Sequence, residues 1–155
     1  MFKRIIVPLD GSEVAEQGLG KALELSKSLN APLFLLRIVD TASITQLASA
    51  GGGAGSDFGL ISEVLDEEQT DSKTYLEATI SRLKGDGYDV SGEIAQGPIA
   101  RTIVDAAKPE DVIVIGSHGR TGVQRWFLGS VAEDVIRHAN CPVLLIRATH
   151  DETKS

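Results

Sequence analysis

The chain alternates between short, uninterrupted aliphatic runs and longer stretches with helical spacing. These runs lie at residues 5–7, 33–36, 112–115 and 143–146, and Phe34 is the one aromatic residue among them. A strand that is apolar throughout is typical of a parallel sheet covered by helices on both faces. Residues 90–94 instead alternate between apolar and polar, which predicts a half-exposed strand at a sheet edge. The pattern therefore predicts five strands, and Pro8 is expected to end the pairing of the first.

Helical spacing fills the segments between these strands. Apolar residues recur every three or four positions over residues 12–29 and 62–84, between Pro98 and Pro109, and over residues 130–138. In the last segment, Ser130 and Glu133 have the spacing of a capping box, in which each side chain binds a free amide at the helix start. Strands that alternate with helices predict one α/β domain with a parallel sheet and helices on both faces.

Residues 41–61 depart from this pattern. Their centre, Gly51 to Ser56, is flexible by composition. About twenty residues without regular structure is long for a compact domain. We interpret the segment as a tolerated surface insertion or a functional lid, with the helical pattern resuming at about Ser62. The domain is predicted to cover residues 1–148, and residues 149–155 form a polar tail.

Composition narrows the classes of partner. The net charge is −7, which argues against nucleic acid and against an anionic membrane surface as partners. The single cysteine, Cys141, excludes an internal disulfide and a multi-cysteine metal site. No apolar run approaches the length of a signal peptide core or a membrane span. We therefore expect a soluble, cytoplasmic protein.

The candidate chemistry lies after the fourth predicted strand. Gly116, Gly119 and Gly129 follow this strand, and a helix is predicted to start at Ser130. Glycines let the backbone approach an anion, and the free amides and dipole of a helix start favour negative charge. Arg120 lies in the same loop. The sequence therefore predicts a phosphate cradle, with a purely structural glycine loop as the alternative.

The spacing of these residues, G-x2-G-x9-G-S, resembles the nucleotide-binding signature of the universal stress protein family, in its ATP-binding branch. Residues 5–12, IIVPLDGS, and 141–147, CPVLLIR, resemble the first and last strands of that family. The resemblance implies an adenine nucleotide alpha hydrolase-like fold with strand order 3-2-1-4-5. It has one departure: Arg37 stands where the family usually carries histidine, so no role of that histidine is carried over.

The resemblance also implies an ATP site where the strand order reverses between strands 1 and 4, which is where open α/β sheets bind ligands. Adenine is expected against Pro8, Leu9 and Ile38, with Ile115 at the wall. Asp10 is expected to contact ribose or the Mg²⁺ shell, with a helix-cap role as the alternative. The residues assigned to ATP binding are Pro8, Leu9, Asp10, Ile38, Ile115, Gly116, His118, Gly119, Arg120, Gly129, Ser130 and Val131. For His118 the alternative is a role in loop packing, and for Arg120 it is a solvated side chain.

The fifth strand predicts a homodimer. It carries four consecutive aliphatic residues, Val143, Leu144, Leu145 and Ile146, and an apolar edge strand pairs readily with another chain. An edge covered by solvent or a helix is the alternative.

The function that the resemblance implies is that of an ATP-binding regulatory dimer in stress response, acting on an unidentified downstream protein. A nucleotide-independent dimeric interaction protein and a slow Mg²⁺-dependent ATP hydrolase are the alternatives. The sequence has no Walker A lysine motif, and no serine or cysteine is evidently paired with His118. We therefore assign no catalytic residue and expect hydrolysis to be slow or absent.

Overall fold

Strands and helices alternate along the chain in the predicted order. The computed structural model of the protein describes residues 1–10, 13–41, 46, 58–117 and 129–147. No described helix is both long and apolar enough to cross a membrane. The described elements, in chain order, are β1 (Arg4–Leu9), α1 (Glu13–Leu29), β2 (Leu33–Val39), α2 (Phe58–Gly85), β3 (Val90–Gln96), α3 (Ile99–Ala106), β4 (Asp111–Gly116), α4 (Ser130–His138) and β5 (Val143–Ile146).

The five described strands form one parallel sheet in the order β3-β2-β1-β4-β5, which confirms the predicted topology. Successive residues of a strand point to opposite faces. Ile5 and Val7 therefore pack with residues of α1 and α2 on one face. Ile6 packs with Ile103 of α3 and Val135 of α4 on the other. Two separate apolar layers result, and helices cover both faces.

The sheet opens between β1 and β4 at the carboxyl ends of these strands. β1 pairs with β2 as far as Leu9, which lies opposite Arg37. With β4, however, β1 pairs only as far as Ile6, opposite Ile113. β4 continues to pair with β5 as far as Gly116. The last three residues of β1 and of β4 therefore border a crevice at the point where the strand order reverses.

Pro8 explains why the ladder between β1 and β4 stops. The N–H of Ile5 donates to the carbonyl of Pro32, on the β2 side, at 2.8 Å. Because N–H groups alternate in direction along a strand, residues 6 and 8 face β4. Proline has no N–H to donate, so the ladder cannot continue at residue 8. The prediction that Pro8 ends the pairing of β1 is thus right for β4 and wrong for β2, where Pro8 lies opposite Leu36.

Helix α2 begins earlier than the hydrophobic pattern predicts. It starts at Phe58 rather than at Ser62. Ile61 and Leu65, one turn apart, are both half-buried, so the inward face extends back beyond the predicted start. Most of the predicted insertion, residues 42–45 and 47–57, lies outside the described residues, as does the predicted tail, 149–155. Thr41 and Gln46 are helical.

A partly buried ion pair joins β1 to β4 at the opposite end of the sheet from the crevice. Nε and Nη2 of Arg4 donate to the carboxylate of Asp111 at 2.9 to 3.2 Å. Asp111 also accepts from the N–H of Lys108 at 2.8 Å, and its side chain is only 2% exposed. Burial raises the pKa of the Asp111 carboxyl, but the hydrogen bonds from Arg4 and Lys108 outweigh this and lower the pKa overall.

We expect Asp111→Asn to destabilise the protein by about 3 kcal/mol at neutral pH, because it leaves a partly buried arginine without its counter-charge. The folded pKa of Asp111 is lower than its ordinary value of 3.8. The stabilisation is therefore complete above that value and is lost as the pH falls through the folded pKa. Urea unfolding of both proteins from about pH 7 to about pH 2 measures the effect. A difference in unfolding free energy that stays constant down to about pH 2 would contradict this assignment.

Candidate functional site

The end of β4 and the start of α4 meet at one hydrogen bond beside the crevice. The N–H of Ser117 donates to the carbonyl of Ile146 on β5 at 2.8 Å. The carbonyl of Ser117 accepts from the N–H of Gly129 at 2.7 Å. The hydrogen bond between Ser117 and Gly129 therefore joins the two ends of the predicted glycine motif. His118, Gly119 and Arg120 lie between these two anchor points, outside the described residues.

The amino end of α4 lacks the predicted capping box. Gly129, not Ser130, is the cap residue, and no side-chain hydrogen bond caps it. Ser130 is the first helical residue, so Glu133 lies one position beyond the third helical residue, where a capping box needs its glutamate. The Glu133 carboxylate instead accepts from Nη2 of Arg137 at 2.8 Å. This part of the prediction is wrong because it placed the cap one residue late.

The consequence is a set of backbone donors without partners inside the helix. The first helical hydrogen bond within α4 runs from the N–H of Glu133 to the carbonyl of Gly129 at 2.9 Å. The amides of Ser130, Val131 and Ala132 precede it and have no partner within the helix. Together with the helix dipole, such amides form a site for an anion.

The apolar residues of the predicted site fall into two groups. Ile38, Ile115 and Val131 share the apolar layer under α3 and α4. The first two are 6% and 8% exposed. The side chain of Leu9 packs in the other layer, under α1 and α2. Because Leu9 points away from Ile38 and Ile115, it contributes to the crevice through its backbone. Pro8 is half-buried at the edge of the crevice.

Asp10 follows β1 directly and is half-buried. It lies between the end of β1 at Leu9 and the start of α1 at Glu13. Among the described residues, no group of three or more histidine, cysteine, aspartate or glutamate side chains could hold a metal ion.

Gly116 is required by the packing of α1 on the sheet. A Cβ atom at this position would overlap Cγ1 of Val14 and would lie 3.2 Å from the Val14 carbonyl oxygen. The first glycine of the motif thus lets the start of α1 approach the end of β4. This packing role is independent of any ligand, and the binding role of Gly116 remains a prediction.

Arg37 lies behind the site and Ser117 lies at its edge, and neither was predicted as a site residue. Arg37 is 8% exposed, and its Nη1 donates to the carbonyl of Leu9 at 3.3 Å. Its Nη2 lies 3.5 Å from Oε1 of Glu68 on α2. The signal for Arg37 was its charge within an otherwise apolar strand. Ser117 gave no comparable signal, because its role depends on backbone hydrogen bonds.

A second concave surface lies elsewhere on the molecule. It is a groove of about 360 Å³ between α3 and α4, and its lining includes Arg101, Asp105, Asp134 and His138. Arg101 pairs with Asp105 on the same helix at 3.4 Å. No residue of the predicted site lines this groove, so it does not compete with the crevice as the candidate site.

The sequence is similar to members of one protein family. The model of the Universal stress protein family matches residues 1–147. Universal stress protein MJ0531 of Methanocaldococcus jannaschii is 34% identical over 154 residues, which cover 98% of this chain and 86% of the relative.

Solved structures show the same fold. The structure of hypothetical protein MJ0577 has a TM-score of 0.78 and 30% identity, and the match covers 97% of this chain and 99% of that one. Universal stress protein UspA from Lactobacillus plantarum has a TM-score of 0.79 and 29% identity, with 94% and 98% coverage. Two more distant structures, 23% and 21% identical, are of universal stress proteins in complex with dAMP, in a protein from Archaeoglobus fulgidus, and with cAMP. At that identity they show the fold alone.

We expect Gly116→Ala to destabilise the protein by about 1 to 3 kcal/mol, because the added methyl group overpacks the contact with Val14. The double variant Val14→Ala/Gly116→Ala removes the overlapping Cγ1 and should recover part of this loss. Denaturant unfolding of both variants and of Val14→Ala alone measures the coupling. Additive effects of the two substitutions would show that Gly116 is not required by Val14.

Proposed function

Because the chain belongs to the universal stress protein family, we propose that it binds ATP in the crevice between β1 and β4. We further propose that it acts as a nucleotide-dependent regulatory dimer in stress response. The observation that carries the proposal is the amino end of α4. Its amides are not capped by a described side chain, and the hydrogen bond between Ser117 and Gly129 holds them beside the end of β4.

The phosphates are assigned to this helix end. The backbone N–H groups of Ser130 and Val131 and the hydroxyl of Ser130 would donate to phosphate oxygens. Gly116 and Gly129 flank the loop that carries His118, Gly119 and Arg120, to which the sequence motif assigns further phosphate contacts. Because most of these donors are backbone amides, the site does not need a positively charged surface, and it is compatible with a net charge of −7.

The adenosine part is assigned to the β1 side of the crevice. Ile38 and Ile115 would present an apolar surface to adenine, with Pro8 at its edge. Asp10 would contact the ribose hydroxyls or the water shell of a Mg²⁺ ion that accompanies the nucleotide. Adenine nucleotide is the ligand class that the family resemblance of the glycine motif implies.

We propose that the bound nucleotide acts as a signal and is hydrolysed slowly or not at all. No described side chain is assigned as nucleophile or general base. A conformational or partner switch needs only a difference in nucleotide affinity between two states. An unidentified downstream partner, a role in stress response and a cytoplasmic location stay predictions from the sequence and the family resemblance.

Ser130→Asp separates helix stability from nucleotide binding. An acidic residue in the first turn stabilises a helix by about 0.3–1 kcal/mol, so the variant should fold at least as stably as the wild type. The same charge opposes a phosphate at this helix end, and we expect the affinity for Mg·ATP to fall by about tenfold or more. Calorimetric titration of nucleotide-stripped protein, with thermal unfolding in parallel, measures both effects.

Ser130→Asn is the matched control for this titration, since it is neutral and of similar size to aspartate. It should bind Mg·ATP much more tightly than Ser130→Asp. Equal affinities for the two variants would show that the phosphates do not bind at the amino end of α4. A wild-type protein that binds no Mg·ATP would reject the nucleotide function and favour the nucleotide-independent interaction protein.

The proposed dimer uses the open edge of β5. The carbonyls of Pro142 and Ile146 accept from residues of β4 and of the turn that follows it. Because backbone groups alternate along a strand, those of Val143 and Leu145 face the open edge. Leu144 is 40% exposed. Antiparallel pairing of two β5 strands across a two-fold axis would satisfy this edge in both chains.

Leu144→Lys should convert a dimer of the wild-type protein into a monomer, because it places like charges close together across the two-fold axis. Sedimentation velocity at matched concentrations measures the oligomeric state. The control is Leu60→Lys, which changes a residue that is 59% exposed on α2. A dimer that persists in Leu144→Lys, or one that is lost equally in both variants, would count against β5 as the interface.

A further inference from the structure

A buried arginine lies behind the crevice and outside the roles assigned above. Arg37 is on β2, directly opposite Leu9 in the parallel register. Its side chain is 9% exposed. It points to the same face as Leu35, towards α1 and α2, and thus away from the surface assigned to adenine. Arg37 therefore acts on the crevice only through a neighbouring group.

That neighbouring group is the backbone of β1. Nη1 of Arg37 donates to the carbonyl of Leu9 at 3.3 Å, and Leu9 immediately precedes Asp10. Nη2 of the same guanidinium donates to Oε1 of Glu68 at 3.5 Å. The guanidinium is a rigid plane with donors at fixed angles. The position of Glu68 on α2 therefore constrains the position of Leu9 on β1.

We propose that Arg37 is a positioning residue of the crevice, and that the bridge from Leu9 through Arg37 to Glu68 makes nucleotide affinity depend on the position of α2. This rests on the proposed function. Because coupling between two sites is reciprocal, a nucleotide that orders the end of β1 also strengthens the hold of β1 on α2. Helix α2 is thus the element through which the state of the crevice reaches the surface of the molecule.

The geometry favours α2 for this role. Glu68 is partly accessible, with 38% of its side chain exposed, whereas Arg37 is buried. The first turns of α2 also expose Leu60 and Val64, so this end of the helix is less deeply packed than Leu76 and Leu83 farther along. A shift of the amino half of α2 would move Glu68 without disturbing the core contacts of the carboxyl half.

The first test is Glu68→Gln, which keeps the side-chain shape and removes the charge. Calorimetric titration with Mg·ATP should give a dissociation constant about 2- to 30-fold weaker than that of the wild type. Arg37→Lys should show a loss in the same range. It keeps the positive charge, but a single ammonium group cannot reproduce the planar fork. Both variants should keep the fold by circular dichroism.

The matched control is Glu77→Gln on the same helix. Glu77 pairs with Lys73 at 4.0 Å, and both side chains are more than two-thirds exposed. It should bind Mg·ATP as the wild type does. If Glu68→Gln and Arg37→Lys also bind as the wild type does, the positioning role is overturned. A lower melting temperature with unchanged affinity overturns it as well, because this would show a purely structural ion pair.

Hydrogen–deuterium exchange of the nucleotide-free proteins separates this inference from the proposed function. The peptide that covers residues 5–10 should exchange faster in Glu68→Gln than in Glu77→Gln and the wild type. If the wild type binds no Mg·ATP, the nucleotide function fails and with it the affinity effect. Hydrogen–deuterium exchange alone then tests whether α2 positions the end of β1. If residues 5–10 exchange in Glu68→Gln as they do in the wild type, this positioning is overturned too.

Discussion

The structure depends on the point at which β1 stops pairing with β4. A central strand of a parallel sheet normally bonds to both neighbours along its whole length, and β1 does so only as far as Ile6. Residue 8 faces β4 and is proline, so the next donor of that ladder is absent. The missing hydrogen bond costs little at the end of a strand. It opens the crevice, and it does so at the place where the strand order reverses.

Different contacts fix β1 and β4 at the amino ends and at the carboxyl ends of the two strands. The ion pair between Arg4 and Asp111 joins β1 to β4 at the amino ends of the strands, where the carboxylate is buried. At the carboxyl ends, Val14 occupies the space in which a side chain at residue 116 would lie. The Ser117–Gly129 hydrogen bond then returns the chain to the start of α4. The helix end is thus fixed by the backbone, and sequence changes in the intervening loop need not move it.

The sequence predicted the fold well because the fold depends on periodicity. Aliphatic runs and helical spacing were enough to place the strands, and the family resemblance supplied their order, which no local pattern contains. The site was predicted less completely, for geometric reasons. The predicted cap was wrong by one residue, because Gly129 and Ser130 are adjacent and both residue types occur at the start of helices. Strand alternation places the side chain of Leu9 on the face of the sheet opposite Ile38, but the prediction placed both residues against adenine. Arg37 and Asp111 act across the sheet, and their partners, Glu68 and Arg4, are distant in sequence.

The charge of the molecule sets how an anion can be bound. With a net charge of −7, the field of the whole protein opposes an anion, so donors at the site itself must offset it. Backbone amides at a helix start carry partial positive charge that does not depend on side chains. Among the described residues, Arg37 is the one buried cation near the crevice. Its guanidinium donates to the Leu9 carbonyl and to Glu68, and its side chain lies on the face of the sheet opposite the surface assigned to adenine. Arg37 is therefore suited to shaping the crevice rather than to attracting the ligand.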